Sequence, residues 1–565
     1  MIYHIQRHIT EPNLKPKPMR KLFSFIASLF ITGSLLAGGL VTNTNQSALF
    51  TRLQNRNAST GIDAVYFNPA GLTKLGNGFF VSVNNQTITQ TQKVNSNYPY
   101  LIPTPKKYVG DVSAPLFPGI YVVYNTGKMS FSAGFNPVGG GGGAVYKTGL
   151  PSFEMPIADI PPSLASQGIP ATSYSADIYF KGSSTYLGYQ ANIAYKINDM
   201  ISVAVGARLV TASNKYNGYI RNISINANYP AFGAAYNGGM VLASDFFTAG
   251  ATALSTAAAG ANLYVAGLQP LVSGGAGSVL LSNGTAVGLS AAQVGQIQQL
   301  LGAAKLTPAQ IGAITIAQAQ GALAQAAPAF TANASAMTAN ATAAQDINVH
   351  ASESGTGVTP IISANISPSE NLNIAVKYEF KTEIDLKTKV YNNESGGIFV
   401  DGKQLVGDMP AMLSLGVDYK PIKKLLLSAS FNTYFDKGVD YDGDPEVNIN
   451  EIDKNFLEYG LGVEYGLTEK LRISAGWSHT STGVNLNYQS DQSFSTNTNS
   501  IGVGFGYRIA PMIDLNLGYQ RAFYKEGSKT YDHLLGGVVP ISTTETYNKL
   551  TWMVALGLDF YFGKK

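Results

Sequence analysis

From Lys549 to Phe562 apolar and other residues alternate: Leu550, Trp552, Val554, Leu556, Leu558, Phe560 and Phe562 stand between Lys549, Thr551, Met553, Ala555, Gly557, Asp559 and Tyr561. A two-residue period places every apolar side chain on one face of a strand. That face needs an apolar neighbour, either a protein core or lipid with a polar lumen behind it. Thirteen further runs repeat the pattern, led by Phe79, Ile120, Met129, Leu187, Ile201, Val358, Leu372, Leu413, Leu425, Leu457, Leu471, Ile501 and Ile513. Fourteen strands of this kind predict an all-β chain.

The connections decide between the two neighbours. Strands 2/3, 4/5, 6/7, 8/9, 10/11 and 12/13 are joined by tight turns at residues 125–128, 198–199, 367–370, 421–424, 467–470 and 510–511. All other joins are longer. An even strand number with short turns at one end and long loops at the other is the pattern of a transmembrane barrel, with both chain ends on the short-turn, periplasmic side. Tyr124, Tyr195, Tyr419, Tyr465 and Tyr507 precede tight turns, where an interfacial aromatic girdle sits. Polar faces such as Asn371, Asn373, Lys377 and Glu379, or Asp514, Asn516 and Gln520, suit a wet lumen, although a soluble sandwich or β-helix would also alternate.

Composition agrees with the barrel. Only 13% of the chain is charged and 60 residues are glycine. Residues 1–37 hold Arg20-Lys21 and an apolar run from Leu22 to Leu36, with small residues at Ala37 and then Gly38 and Gly39 beyond it, the order of a secretory signal cleaved near Ala37. Met19 makes residues 1–18 a candidate upstream extension, and the apolar run is shorter than a spanning helix needs. The net charge of +4 belongs to this leader, so no nucleic-acid partner is expected. The absence of cysteine excludes disulfides, thiolate metal sites and cysteine nucleophiles. No cofactor or metal is expected.

Between strands 5 and 6 lies an insert, residues 231–345, rich in alanine and glycine. It holds a duplication, Leu289-Ser-Ala-Ala-Gln-Val-Gly-Gln-Ile297 and Leu306-Thr-Pro-Ala-Gln-Ile-Gly-Ala-Ile314, in which Ser290 with Gln293 and Thr307 with Gln310 form capping boxes. Pro308 takes the first helical position, so a helical hairpin on an external loop is predicted. Residues 249–285 read equally well as a low-complexity spacer.

Residues 38–76, between the signal and the first strand, do not alternate. They contain Ala58-Ser-Thr-Gly-Ile-Asp-Ala-Val-Tyr-Phe-Asn-Pro-Ala-Gly-Leu72. This segment resembles the N-terminal hatch of the FadL/TodX family of long-chain fatty acid outer-membrane transporters, with Asn68, Pro69 and Ala70 matching the family's NPA motif and Gly71 following. Pro69 fixes its own φ and holds Asn68 extended, which gives a compact plug a corner; an ordinary turn would use the same chemistry.

The resemblance implies a 14-stranded antiparallel transmembrane barrel over residues 77–562, a hatch inside it, and passive uptake of hydrophobic compounds, with long-chain fatty acids first among them. It also implies an inward kink in the third strand that opens the wall sideways. Strand 3 runs into Asn136, Pro137, Val138 and the glycines Gly139, Gly140, Gly141, Gly142 and Gly143, where loss of a ladder donor and of side chains breaks a sheet. A flexible start to the following loop is the alternative.

A carboxylate cargo needs a cation. Arg208 and Lys377 fall on polar faces well above their turns and are the candidates, although a lumenal ion pair with Glu379 or Glu464 is the commoner use of such residues. Leu150-Pro-Ser-Phe-Glu-Met155 and the paired helices are candidate groove walls.

Enzyme readings find little support. After the leader only His350, His479 and His533 remain, and the adjacent Ser478-His479 point to opposite faces of one strand, so no catalytic residue is assigned. A general porin without a hatch and an adhesin displaying the insert are the rival functions. Expected partners are the cargo, outer-membrane lipids and the barrel-assembly machinery, which commonly reads a terminal aromatic, whereas Phe562 is followed here by Gly563-Lys564-Lys565. A monomer is expected.

Overall fold

The computed structural model describes residues 40–392, 399–439 and 451–562. The leader and Gly563-Lys564-Lys565 lie outside the described residues.

Fourteen antiparallel wall strands close on themselves. They are β1 (Gly78–Ser96), β2 (Lys106–Ala114 and Pro118–Asn125), β3 (Met129–Tyr146), β4 (Tyr174–Lys196), β5 (Ile201–Ile225), β6 (Ile347–Ser369) and β7 (Leu372–Glu379 and Asp385–Val390). The circuit continues through β8 (Gln404–Val406 and Met412–Ile422), β9 (Leu425–Tyr434), β10 (Phe456–Gly466), β11 (Leu471–Ser481), β12 (Thr498–Ala510), β13 (Ile513–Tyr524 and Gly527–Leu535) and β14 (Val539–Tyr561). Pairing of β14 with β1, from Phe80 opposite Tyr561 to Ser96 opposite Glu545, seals the cylinder. The alternating runs lie on fourteen separate strands, and the short turns fall at one end.

Alternation sorts the faces as expected. On β1, Phe79 and Val83 are exposed to the outside while Ser82, Asn84 and Gln86 are buried inside. Val205, Leu461 and Leu556 are likewise exposed, on an outer belt that lipid covers. The girdle tyrosines Tyr124, Tyr195, Tyr419, Tyr465 and Tyr507 all face outward. Several strands outrun this belt. β4 has 23 residues and β5 has 25, about twice what a tilted strand needs to span, so their upper halves stand beyond the outer leaflet's hydrocarbon.

The insert is more helical than its sequence suggested. Residues 249–285 are not a spacer but mostly α5 (Ala243–Ser273), which packs along α8 (Ile316–Ala343), with α6 (Ala291–Ala303) and α7 (Pro308–Ala313) between them. Small side chains let long helices approach closely, while the scarcity of bulky apolar residues leaves no clear stripe to mark the pairing. Both expected capping boxes form, Ser290 with Gln293 and Thr307 with Gln310, and a third joins Thr315 to Gln318. Leu268, Leu281, Ile297, Leu301 and Leu323 give the insert its own core. Its root joins the other outer loops through Phe246, Phe247 and Met337.

Candidate functional site

Residues 40–75 are buried against inward-facing wall residues. Ser47 caps α1 (Ala48–Leu53) by accepting from Phe50 N–H at 3.1 Å, and its hydroxyl donates to Asp63 at 3.0 Å. Arg56 donates to both Asp63 oxygens at 2.8 Å, which folds the segment back on itself before α2 (Ala64–Phe67). Wall glycines make room for this packing. A Cβ on Gly476 would sit 1.9 Å from the Leu53 carbonyl oxygen, and one on Gly502 would sit 2.2 Å from that of Thr51.

The Asn68–Gly71 motif ties this segment to β5 and β6. Asn68 Nδ2 donates to Ser59 O at 3.0 Å and to Asn365 Oδ1 at 2.7 Å. Pro69 opens a 3-10 turn, Pro69–Lys74, in which Ala70 N–H donates to Ser363 at 3.0 Å and Ala70 O accepts from Ser202 at 2.7 Å. A side chain at Gly71 would meet Asn68 Nδ2 at 2.4 Å and Ser59 O at 2.5 Å, so glycine is needed there. The motif is therefore a clamp to the wall.

Arg208 and Lys377 come together, but around a carboxylate of the protein. Arg208 Nη1 and Nη2 donate to Glu379 at 2.6 and 3.0 Å, and Lys377 Nζ donates to Glu379 at 2.6 Å and to Tyr66 O at 2.9 Å. Tyr66 lies under both cations, its ring centre 4.9 Å from the guanidinium and 4.5 Å from the ammonium. Both side chains are sealed, at 2% and 3% exposure. The second carboxylate considered, Glu464, pairs with Arg52 of α1. Arg472 and Arg508 bond Asp514 near their turn.

The ladder between β2 and β3 is broken. β2 is interrupted at Pro115-Leu116-Phe117, and β3 pairs with it only through Ser130–Phe135 and Ala144–Tyr146, so Asn136–Gly143 have no ladder partner on β2. On its other side β3 meets β4 with two register shifts, between Pro137 and Gly139 and between Gly139 and Gly142. Gly140 has φ +92, and a Cβ there would meet Ser184 O at 2.5 Å. The kinked stretch bonds to the plug instead. Asn43 N–H donates to Val138 O at 2.8 Å, and Gly140 N–H donates to Val41 O at 2.9 Å. Asn136 is buried here with neither amide atom bonded to the protein. Leu116 and Phe117, with Ile88, Val112 and Met553 nearby, give the gap an apolar border.

One cation was not singled out from sequence. Lys549, on the inner face of β14, is 6% exposed and donates to Phe494 O at 2.7 Å, with the Phe494 ring centre 4.4 Å away. No carboxylate lies within ion-pair distance of it among the described residues. Gln92 stands opposite on β1 and accepts from Tyr146 OH at 2.9 Å, and Phe494 packs on Tyr547. The available signal was an inward lysine on a strand whose nearest inward acid, Glu545, is two inward positions away. Above this point the outer loops form an apolar cap. In it Phe153 and Met155 of α3 (Pro151–Ala158) and Leu164 of α4 (Ile160–Ser166) are buried with Tyr98, Leu101 and Tyr108. Ser478 faces inward to Gln54, whereas His479 faces outward to Asn499, so the two cannot act together.

Residues 311–508 match the outer membrane protein beta-barrel domain family. No curated protein matches the chain. A FadL homologue of Pseudomonas aeruginosa is similar over 93% of this chain and 100% of its own, at 12% identity and a TM-score of 0.55. The toluene transporters TodX of P. putida (13% identity, 90% and 95% covered, TM-score 0.46) and TbuX of Ralstonia pickettii (12%, 89% and 94%, 0.42) align over similar spans. Closed wall, outward apolar belt and family match define an outer-membrane β-barrel. Within that class the chain has the fold of the FadL homologue.

Proposed function

We propose that this protein carries hydrophobic compounds passively across the outer membrane and that its cargo is long-chain fatty acids. The observation that carries the reading is the stretch Asn136–Gly143, which pairs with β4 but has no ladder partner on β2, and to which residues 41–43 of the hatch are bonded instead. An apolar chain entering from the cap would lose about 0.8 kcal/mol of free energy per buried CH₂, and leaving sideways at Leu116 and Phe117 delivers it to lipid without crossing a wet channel. Release then needs only a shift of the hatch. Lys549 supports an acid as cargo, because a buried ammonium without a counter-charge among the described residues gains most from an incoming carboxylate. The FadL homologue's fold fits the same reading.

The chain has no cysteine, which makes the test clean. Asn43 and Val138 face each other across the bridge between hatch and β3, so N43C/V138C places a disulfide there. In a transporter-deficient strain the reduced variant should restore growth on oleate and the oxidised one should not. Equal growth in both states would sink the route through this hatch contact. Failure of the unmodified protein to restore oleate growth would remove the fatty acid reading.

A further inference from the structure

We propose that the outer surface of β4–β7, just above the apolar belt, is a binding site for the phosphate groups of lipopolysaccharide in the surrounding outer leaflet. The claim does not rest on the transport reading, since every residue concerned faces away from the lumen.

Register builds the site. Leu209 and Val358, opposite each other on β5 and β6, are the last exposed apolar residues of the belt on these strands. Two outward positions higher, Ser213 stands opposite Ser354, and Ser354 opposite Lys387. The next row holds Lys215 opposite Ser352 and Ser352 opposite Lys389. In the row above, Lys181 lies opposite Asn217 and Asn217 opposite His350. At about 3.3 Å per residue on a strand tilted about 40°, these rows sit roughly 10 to 20 Å above the belt's edge. That is where the phosphorylated sugars of a glycolipid leaflet lie.

The surface is also shaped and charged for such a group. A groove of about 430 Å³ is lined by Lys181, Lys215, His350, Ser352 and Tyr391. Its floor is fixed, since Tyr391 stacks on His350 with ring centres 4.6 Å apart and bonds Ser352 at 3.2 Å. The four lysines are exposed and none of them makes an ion pair among the described residues. Asp385, one outward position beneath Lys387, and Asp401, which accepts from Val390 N–H at 2.8 Å beside Lys389, are neighbouring acids. Lysines two strands apart, such as Lys215 and Lys389, stand about 10 Å from each other, near enough for one anionic head group to meet both. Hydroxyls on the serines between them suit sugar and phosphate oxygens.

The test compares full-length protein with K181Q/K215Q/K387Q/K389Q, using K423Q/K424Q at the short-turn end as the charge-loss control. Folding is checked first by heat-modifiable migration. Retention of purified lipopolysaccharide in detergent should fall about tenfold or more in the quadruple variant and stay unchanged in the control. Enzymatically dephosphorylated lipopolysaccharide should bind the unmodified protein as weakly as the intact lipid binds the variant, and inorganic phosphate should not compete at equal concentration. Equal retention by variant and unmodified protein would overturn the proposal, as would equal binding of the dephosphorylated lipid. Full competition by inorganic phosphate would reassign the site to free anions.

Discussion

Arg208 of β5 grips both carboxylate oxygens of Glu379 on β7, at 2.6 and 3.0 Å, over the ring of Tyr66. With Lys377 on the same carboxylate, two wall cations and one acid lie sealed under the hatch, and Lys377 also holds the Tyr66 carbonyl. These residues fasten plug to wall.

Glu379→Gln therefore leaves two buried cations without a counter-charge. Stability should fall by about 3 to 5 kcal/mol. Replacing all three together, R208M/K377M/E379L, should cost far less, because no charge is then stranded. Thermal unfolding of the folded barrels in detergent separates the two, and a single variant melting like the unmodified protein would contradict the latch.

Gly476 tests how the plug fills the lumen. A valine there puts its Cβ 1.9 Å from Leu53 O, so the hatch backbone must move. Gly476→Val should produce steady ion conductance in planar bilayers, where the unmodified protein stays closed. An unchanged trace would mean that α1 does not stopper the pore at this height.

Lys549→Met removes the cation proposed to meet a carboxylate. A charged hydrogen bond contributes about 1.5 to 3 kcal/mol, so uptake of oleate at limiting concentration should drop roughly ten- to hundredfold. Uptake of its methyl ester should not change, and Lys549→Arg should keep most of the oleate activity. Parallel losses for acid and ester would assign Lys549 to packing alone.

Asp491 makes the outer cap sensitive to pH. It lies in the connection after β11, is 4% exposed, and accepts from Ser152 N–H at 2.7 Å at the start of α3. Burial pushes its carboxyl above the ordinary range. The folded cap then holds this proton more tightly than the unfolded chain. Its stability is greatest below the unfolded carboxyl range and declines as pH rises through the unfolded value to the raised folded one, levelling off above it. The thermal midpoint read from near-UV circular dichroism of the cap tyrosines should fall across that interval, and Asp491→Asn should flatten the curve.

Strand number, facing, turn ends and the two duplicated helix caps were legible in the sequence, because each depends on neighbours two to four residues away. Asn68–Gly71 and the Asn136–Gly143 break could be marked for the same reason, as backbone chemistry local to proline and glycine. What these segments touch could not be read. The bond between Asn43 and Val138, the grip of Arg208 on Glu379 and the bond from Lys549 to Phe494 O join residues from 55 to 171 positions apart, and the lack of an acid within ion-pair distance of Lys549 among the described residues is likewise a matter of the folded wall. Period-two patterning tells a strand which side is wet, but only the closed cylinder determines which charges share its interior. The helical pairing of α5 with α8 was missed for a related reason, since alanine and glycine surfaces carry little hydrophobic signal until two helices lie against each other.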